Sequence, residues 1–559
     1  MSGCFLTFIA KSTIMKPILL ALVLAITFAC ESTKEQVDLL VINGTVYTVN
    51  EAFDQVEAFA VHDGKVVAVG STDEMLKHFS ASDTLDVKGK PVYPGLIDAH
   101  AHLFNLGVAK QQVDLMGTQS YQEVLDRTVA FQEEYKVPFI RGRGWDQNDW
   151  EVKEFPTKKE LDELFPDTPV ALTRVDGHAL IANSKALELA GVTVQTKMEG
   201  GEVLLANGEP TGLLVDTPMR LVYSKVPMMT WEQADRALMD AQEECLSLGL
   251  TTVNDAGLDK EIIYRIDSLQ QNGQLKIRVY AMVSNSEANL DHFLNKPPIK
   301  TDRLNVRSVK VYADGALGSR GAAMKREYND QPGHFGAMIT PEETMKALAL
   351  RIADAGYQMN THAIGDSANI AVIRAYTNAL DGLEDARWKI EHAQVIDPDD
   401  YVHFSKNIIP SVQPTHATSD MYWAEDRVGA ERIEGAYSFK TLLDKAGLIA
   451  LGTDFPVEKV NPMHTFYAAV ARKDLKNYPE GGFRPEQKLS REEALKGMTI
   501  WAAYSNFEDD EKGSLEIGKL ADFVVLENDI ISCAEDQIPN TKVLHTYING
   551  QGVYSVSDD

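Results

Sequence analysis

The sequence predicts an α/β protein with a parallel sheet of eight strands, the strand number of a (β/α)8 TIM barrel, beside a small sheet domain. Two observations support this prediction. Strand patterns alternate with helical patterns through the middle of the chain, and short strands with tight turns occur at both ends. The length of 559 residues suggests about three or four domains, although a single barrel can exceed roughly 250 residues.

Residues 1–29 are predicted to be an export signal. Two lysines precede an apolar run that ends at Ala29, and this run is too short for a membrane-spanning helix but fits a signal-peptide core. Ala29 stands directly before Cys30, an arrangement that resembles the lipidation motif of bacterial lipoproteins. An ordinary signal peptide with an incidental cysteine is the alternative. Either way, we expect the protein in the bacterial cell envelope, periplasmic or lipid-anchored through Cys30.

The composition excludes several classes of protein. A hydrophobic content of 44% excludes a disordered chain. The formal net charge of −28, with no run of lysine and arginine, excludes a nucleic-acid partner. Four cysteines in a chain of this length cannot form a disulfide framework.

Hairpin signals mark both ends of the chain. Asn-Gly turns at Asn43 and Asn549 and an Asp-Gly turn at Asp63 separate short apolar runs. Such turns are the strongest short-range hairpin signal. Residues 37–95 and 505–559 are therefore expected to form one small sheet domain built from both termini.

The middle of the chain, residues 96–504, carries the barrel prediction. Its eight predicted strands, the first of which starts just before this range, are 92–102, 250–255, 276–283, 306–314, 357–362, 388–392, 408–413 and 448–454. Their alternation with helices is typical of a parallel sheet, closed or open. The gap between the first two strands is too long for one crossover, so residues from about 104 to 229 are expected to be an insertion that could roof the barrel.

Candidate metal ligands stand at the ends of these strands. His100 and His102 lie two residues apart on one strand, so their side chains share a face and can bind one ion together. A single His-x-His pattern is weak evidence. It gains weight because three more candidate ligands end later strands: His362, His392 and Asp454.

Lys310 stands inside the apolar strand 306–314, where a charged amine is costly unless it is paired or modified. One interpretation is that its side chain reaches outward between helices to water. The other is that the amine has reacted with CO₂ to form a carbamate, an anion that can bridge two divalent metals. The histidines at neighbouring strand ends favour the carbamate.

Several motifs together resemble a known family. Segment 92–102, which ends in Asp-Ala-His-Ala-His, resembles the opening motif of the amidohydrolase superfamily. Others resemble amidohydrolase family 3, the branch of N-substituted formamide deformylase-like hydrolases: 142–146, 176–178, 314–320, 362–366, 390–394, 413–416 and 452–456. The resemblance extends from about residue 37 to residue 554, and it implies a (β/α)8 barrel with a β-sandwich built from both termini.

The resemblance also implies a centre of one or two divalent metals. Its ligands would be His100, His102 and Asp454 for one ion, His362 and His392 for the other, and carbamylated Lys310 between them. Asp454 would act as general base and then general acid on a metal-activated hydroxide. Zn²⁺ suits these ligands, and iron, manganese or nickel are alternatives.

Four further residues are candidates for substrate binding: His416, Arg320, His178 and Trp145. His416 follows the seventh strand, and a loop hydrogen bond is the alternative. Arg320 could bind a carboxylate or form a surface salt bridge. His178 and Trp145 lie in the insertion, where they would line the pocket from above, unless Trp145 belongs to the core of the insertion.

The sequence therefore predicts an exported, metal-dependent hydrolase that cleaves a non-peptide C–N bond in a small amide or formamide-like substrate. One alternative is a cyclic amide or ester hydrolase with the same site. Another is a catalytically dead surface protein with a binding or regulatory role, which the complete set of ligands disfavours. Membrane contact is expected only through the N-terminal lipid. The sequence leaves open whether the protein forms a homo-oligomer.

Overall fold

The computed structural model describes residues 1, 3, 34–198 and 201–556. The predicted export signal and Cys30 lie outside the described residues. Within the described part of the chain, no helix is long and apolar enough to cross a membrane.

Two sheets form the small domain at the chain ends. The four-stranded sheet has the order Lys65–Gly70, Ala58–His62, Glu35–Ile42, Phe79–Asp86, and the helix Thr72–His78 joins its strands. The six-stranded sheet has the order Gln551–Ser555, Val543–Ile548, Phe523–Leu526, Pro91–Pro94, Thr45–Tyr47, Gln55–Val56. The predicted β-sandwich from both termini is confirmed.

The core between these sheets explains why the two ends of the chain meet. Phe59 from the first sheet packs edge to face on Phe523 from the second, with ring centroids 5.1 Å apart. Both belong to one buried apolar cluster that includes residues from each terminus. Burial of this apolar surface stabilises the pairing of distant segments.

Eight strands form the predicted parallel barrel, which is confirmed. In spatial and chain order they are Leu96–Ala101, Leu250–Leu258, Arg278–Ser284, Leu304–Tyr312, Gln358–Ala363, Trp388–His392, Ile408–Val412 and Ala450–Leu451. A short strand, Ile299–Lys300, pairs antiparallel with the fourth. The last and first strands meet where the Asp454 N–H donates to the His100 carbonyl at 2.8 Å.

Helices cover the outside of the barrel. They are Lys260–Gln271, Glu287–Phe293, Glu342–Asp354, Asp366–Ala379, Pro414–Asp420, Ala424–Arg432, Phe439–Ala446, Pro462–Ala471, Arg491–Gly497 and Ile500–Ser505. The helix Glu342–Asp354 illustrates the packing, because Met345, Ala349 and Ile352 recur at helical spacing and are its buried residues.

The long segment after the first barrel strand folds around a core of its own. Its six-stranded sheet has the order Gly201–Ala206, Glu209–Asp216, Ala179–Ala182, Val170–Arg174, Ile140–Trp145, Val113–Asp114. Its helices are Tyr121–Tyr135, Lys159–Leu164, Ser184–Ala190 and Met219–Tyr223, whereas the flanking helices Leu103–Lys110 and Trp231–Ser247 pack into the barrel core. Trp145 and Trp150 are buried at the centre of the sheet's apolar cluster.

Candidate metal centre

The barrel brings all six predicted ligands to one cavity. Parallel strands in a barrel deliver their carboxyl ends to the same face, where active sites of this fold lie. The cavity there has a volume of about 410 Å³ and is lined by His100, His102, Lys310, His362, His392 and Asp454, among others.

The ligand atoms lie within reach of one another. Oδ1 of Asp454 is 3.2 Å from Nε2 of His102 and 3.6 Å from Nε2 of His100. Nζ of Lys310 is 3.2 Å from the same His100 nitrogen. The imidazole rings of His362 and His392 are 4.5 Å apart at their centroids. The His100 ring also lies 4.9 Å from that of His392, so His100 is close to both groups of donors.

Hydrogen bonds behind the rings orient three of the histidines. The Nδ1 partners are Glu391 for His100 at 2.6 Å, the Ala256 carbonyl for His102 at 2.9 Å, and Oε1 of Gln413 for His392 at 2.6 Å. A carboxylate and a carbonyl can only accept, so Nδ1 donates its proton to them. The Nε2 lone pair then faces the cavity, which is the usual arrangement of a metal-binding histidine.

Burial sets the charge of these groups. It lowers the pKa of His100 to about 4 and that of His362 to about 3, so both imidazoles are neutral near pH 7. Burial also lowers the pKa of Lys310 to about 8. More of its amine is therefore unprotonated at neutral pH than in an ordinary lysine, and only the unprotonated amine can react with CO₂.

The donor set fits a divalent cation. Nε2 of His362 and Oδ1 of Asp454 are buried, yet neither has a hydrogen-bond partner among the described residues. Leaving buried polar atoms unpaired is costly, and a metal ion that accepts their lone pairs would remove this cost. Donor atoms of His100, His392 and Asp454 all lie within 4.8 Å of one another. Imidazole nitrogens and carboxylate oxygens are ligands that zinc and related divalent metals prefer.

His416 lines the cavity, and its role in substrate binding stays a prediction. Its Nε2 lies 3.2 Å from Oδ2 of Asp454, and its Nδ1 lies 3.1 Å from Oε1 of Glu458. Burial alone would lower the pKa of His416, but these two carboxylates outweigh it and raise the pKa to about 10. His416 is therefore an imidazolium that occupies one oxygen of Asp454.

The other three predicted substrate contacts do not line the cavity, which corrects the expectation for them. Arg320 forms a salt bridge with Asp330 at 2.8 Å, and His178 is an exposed residue that contacts Asp216 at 2.7 Å. Trp145 is fully buried and donates its indole N–H to a backbone carbonyl.

The reason is the self-contained packing of the insertion. Among the described residues, none between 104 and 229 lines the cavity. Trp145 is buried in the apolar core of the insertion and not at the barrel cavity.

Two buried charges beneath the site were missed by the sequence reasoning. Glu391, the partner of His100, lies with its Oε1 3.5 Å from Nζ of Lys389, and neither side chain is exposed. Burial would raise the pKa of Glu391, but Lys389 and His100 hold it far below its usual value. A sequence signal could have revealed these two charges. Lys389 and Glu391 stand two residues apart in an apolar strand and therefore share the face that points into the barrel.

Strand-end histidines, a shared carboxylate and a buried lysine at the carboxyl face of a parallel barrel define the class of metal-dependent barrel hydrolases. A family model described as an amidohydrolase family matches residues 83–554. The chain therefore belongs to the amidohydrolase family, and the predicted resemblance is confirmed.

Known proteins match over nearly the whole chain. It is 34% identical over 538 residues to the protein LONG AFTER FAR-RED 3 of Arabidopsis thaliana, covering 92% of this chain and 91% of that protein. It is 27% identical over 548 residues to the N-substituted formamide deformylase of Arthrobacter pascens, covering 92% and 97%.

A solved structure supports the same assignment. The crystal structure of an uncharacterized metal-dependent hydrolase from Pyrococcus horikoshii superposes with a TM-score of 0.75 at 29% identity, covering 89% of this chain and 99% of that one. Family and fold together identify this protein as a hydrolase of the metal-dependent type.

Proposed function

We propose that this protein hydrolyses a non-peptide C–N bond of a small amide or formamide-like substrate. The observation that carries the proposal is the convergence of four imidazoles, Asp454 and Lys310 on one cavity at the carboxyl face of the barrel. The similarity to an N-substituted formamide deformylase supports this choice of bond.

The proposed ligand assignment is the one that the resemblance to the amidohydrolase family implies. One divalent ion would be held by His100, His102 and Asp454, a second by His362 and His392, and the carbamate of Lys310 would lie between them. Zn²⁺ suits this set of nitrogen and oxygen donors. A divalent metal bound there would polarise the scissile carbonyl and lower the pKa of the attacking water towards neutrality.

Asp454 is the residue that would move protons. Its Oδ2 is occupied by His416, whereas its Oδ1 faces the cavity without a hydrogen-bond partner. The Asp454 carboxylate would accept a proton from the water as the water oxygen bonds to the carbonyl carbon, and would return it to the leaving nitrogen as the C–N bond breaks. The products are a carboxylic acid and an amine, so all atoms are accounted for.

A combined metal and turnover measurement tests the proposal. Protein prepared with zinc or manganese and bicarbonate is expected to hold at least one metal per chain and to hydrolyse a member of a panel of N-formyl, N-acyl and cyclic amides. His362→Asn is expected to lower both metal content and turnover. His178→Asn is the matched control, because the exposed His178 lies outside the cavity, and it should change neither.

Four results would count against the proposal. The metal content could be well below one ion per chain, or His362→Asn could leave turnover intact. Turnover of esters alone would support the ester alternative, and metal binding without turnover of any substrate would favour a binding protein on the same scaffold.

A further inference from the structure

Asp420 lies on the cavity wall away from the proposed metal ligands, and hydrogen bonds hold its carboxylate in place. It ends the helix that follows the seventh barrel strand and lines the cavity. Tyr437 donates its hydroxyl hydrogen to Oδ2 of Asp420 at 2.8 Å, and Gln394 donates to the Tyr437 oxygen at 2.9 Å. Tyr437 and Gln394 are both buried. This chain of donors holds Asp420 as a hydrogen-bond acceptor.

Basic groups are scarce on the same wall. Among the described residues that line the cavity, the only lysine, arginine or histidine side chains besides the four proposed ligand histidines are Lys310 and His416. Lys310 belongs to the proposed metal centre, and His416 lies between two carboxylates.

Two arginines close to Gly318 are already paired. Arg427 donates to the carbonyl of Gly318, a lining residue, and both Arg427 and Arg320 bind the carboxylate of Asp330. Away from the metal ligands, a negatively charged substrate group would therefore meet no free cation and would face Asp420.

Apolar side chains also line the cavity. Trp423 and Leu317 line the cavity beside Val457, which is exposed at 70%. A Cβ atom at Gly318 would come within 3.2 Å of the Trp423 ring, so the glycine lets the indole lie against the backbone there. This surface suits an aromatic or aliphatic substituent.

We propose that the substrate is an uncharged or cationic amide with an apolar substituent, and that Asp420 determines this specificity. Asp420 would accept a hydrogen bond from an N–H or ammonium group of the substrate and would repel anionic substituents. This inference rests on the proposed amide hydrolysis and adds the charge class of the substrate to it.

A charge series on one scaffold tests the inference. The substrates are N-formyl-2-phenylethylamine and its 4-aminomethyl and 4-sulfonate derivatives; sulfonate is chosen because it is a weak metal ligand. In the metal-loaded protein, the sulfonate is expected to have a kcat/KM at least about tenfold below that of the neutral compound, since like charges in a binding site are strongly unfavourable. The cationic compound is expected to equal or exceed the neutral one.

Asp420→Asn identifies the residue responsible. We expect it to lower kcat/KM for the cation by about tenfold, to raise kcat/KM for the sulfonate, and to leave the neutral compound within about twofold. Asp510→Asn, at an exposed position outside the cavity, is the matched control and should change none of the three. If Asp420→Asn fails to fold, the wild-type series still tests the charge preference.

A binding measurement separates the proposed charge preference from the proposed amide hydrolysis. Calorimetry with the three formamides on the metal-free protein measures the order of affinity without turnover. That order stands even if the metal-loaded protein hydrolyses no formamide, a result that would refute amide hydrolysis alone. Equal or tighter binding of the sulfonate, or no binding of any of the three, would overturn the inference about substrate charge.

Discussion

The buried partner of His100 gives a sharp prediction. Glu391→Gln keeps the shape of the side chain but removes its negative charge. The substitution weakens the acceptor for the Nδ1–H of His100, which lies 2.6 Å away, and removes the counter-ion of Lys389, which lies 3.5 Å away. We expect Glu391 to act as a positioning residue, because it touches a ligand histidine rather than the substrate.

Two separate effects are expected, and each has its own magnitude. Loss of a hydrogen-bond partner behind a metal ligand typically weakens metal binding by about 10–100-fold. Removal of one partner of a buried charge pair costs about 3–5 kcal/mol of folding free energy, because the remaining charge is left unpaired. Lys389 and Glu391 are both completely buried, so we expect the loss of folding free energy to fall within this range of about 3–5 kcal/mol.

A double variant separates the two effects. Glu391→Gln with Lys389→Met removes both charges, so we expect it to recover most of the lost stability in urea unfolding of the metal-free protein. Its affinity for zinc, measured by competition with a chromophoric chelator, should stay as weak as that of Glu391→Gln. Wild-type zinc affinity in Glu391→Gln, or its full recovery in the double variant, would refute the positioning role.

Three other predictions concern residues away from the metals. Trp145→Ala should lower the free energy of unfolding by about 3–5 kcal/mol, as expected for a large side chain deleted from a core, and equal urea midpoints for variant and wild type would contradict this. Arg320→Ala should leave kcat/KM and metal content unchanged, since its surface ion pair lies outside the cavity; a large rise in KM would restore a role in substrate binding. Cys30→Ala, expressed in a bacterial host, should move the protein from the membrane fraction to the soluble fraction, and an unchanged distribution would favour an ordinary signal peptide.

The sequence predicts the barrel well because its periodic signals are local. Every predicted barrel strand is present, although the last one covers only Ala450–Leu451. This strand is too short to pair along the first strand. Instead, the Thr453 hydroxyl donates a hydrogen bond of 2.7 Å to Asp98 and so links the two ends of the barrel sheet. Such side-chain closure depends on two segments far apart in the chain, so no local pattern reveals it.

The insertion is the part that local patterns describe least well. Its sheet joins parallel and antiparallel strands out of chain order, with Val113–Asp114 at one edge and Gly201–Ala206 at the other. Their place in the insertion suggested that Trp145 and His178 line the pocket, with the core of the insertion as the alternative for Trp145. Packing decides otherwise, because burial of an indole in the insertion's own core is favourable.

The sequence by itself determined the eight-stranded parallel barrel, the sandwich from both termini and the strand-end residues that meet at one cavity. These features follow from apolar periodicity, turn residues and the placement of histidines at strand ends. Only the tertiary structure decided which groups support that set, namely Glu391 and Lys389 below it and His416 with Asp420 beside it. Hydrogen bonds and buried charge pairs join residues that are distant in the chain, so their partners exist only once the barrel has closed.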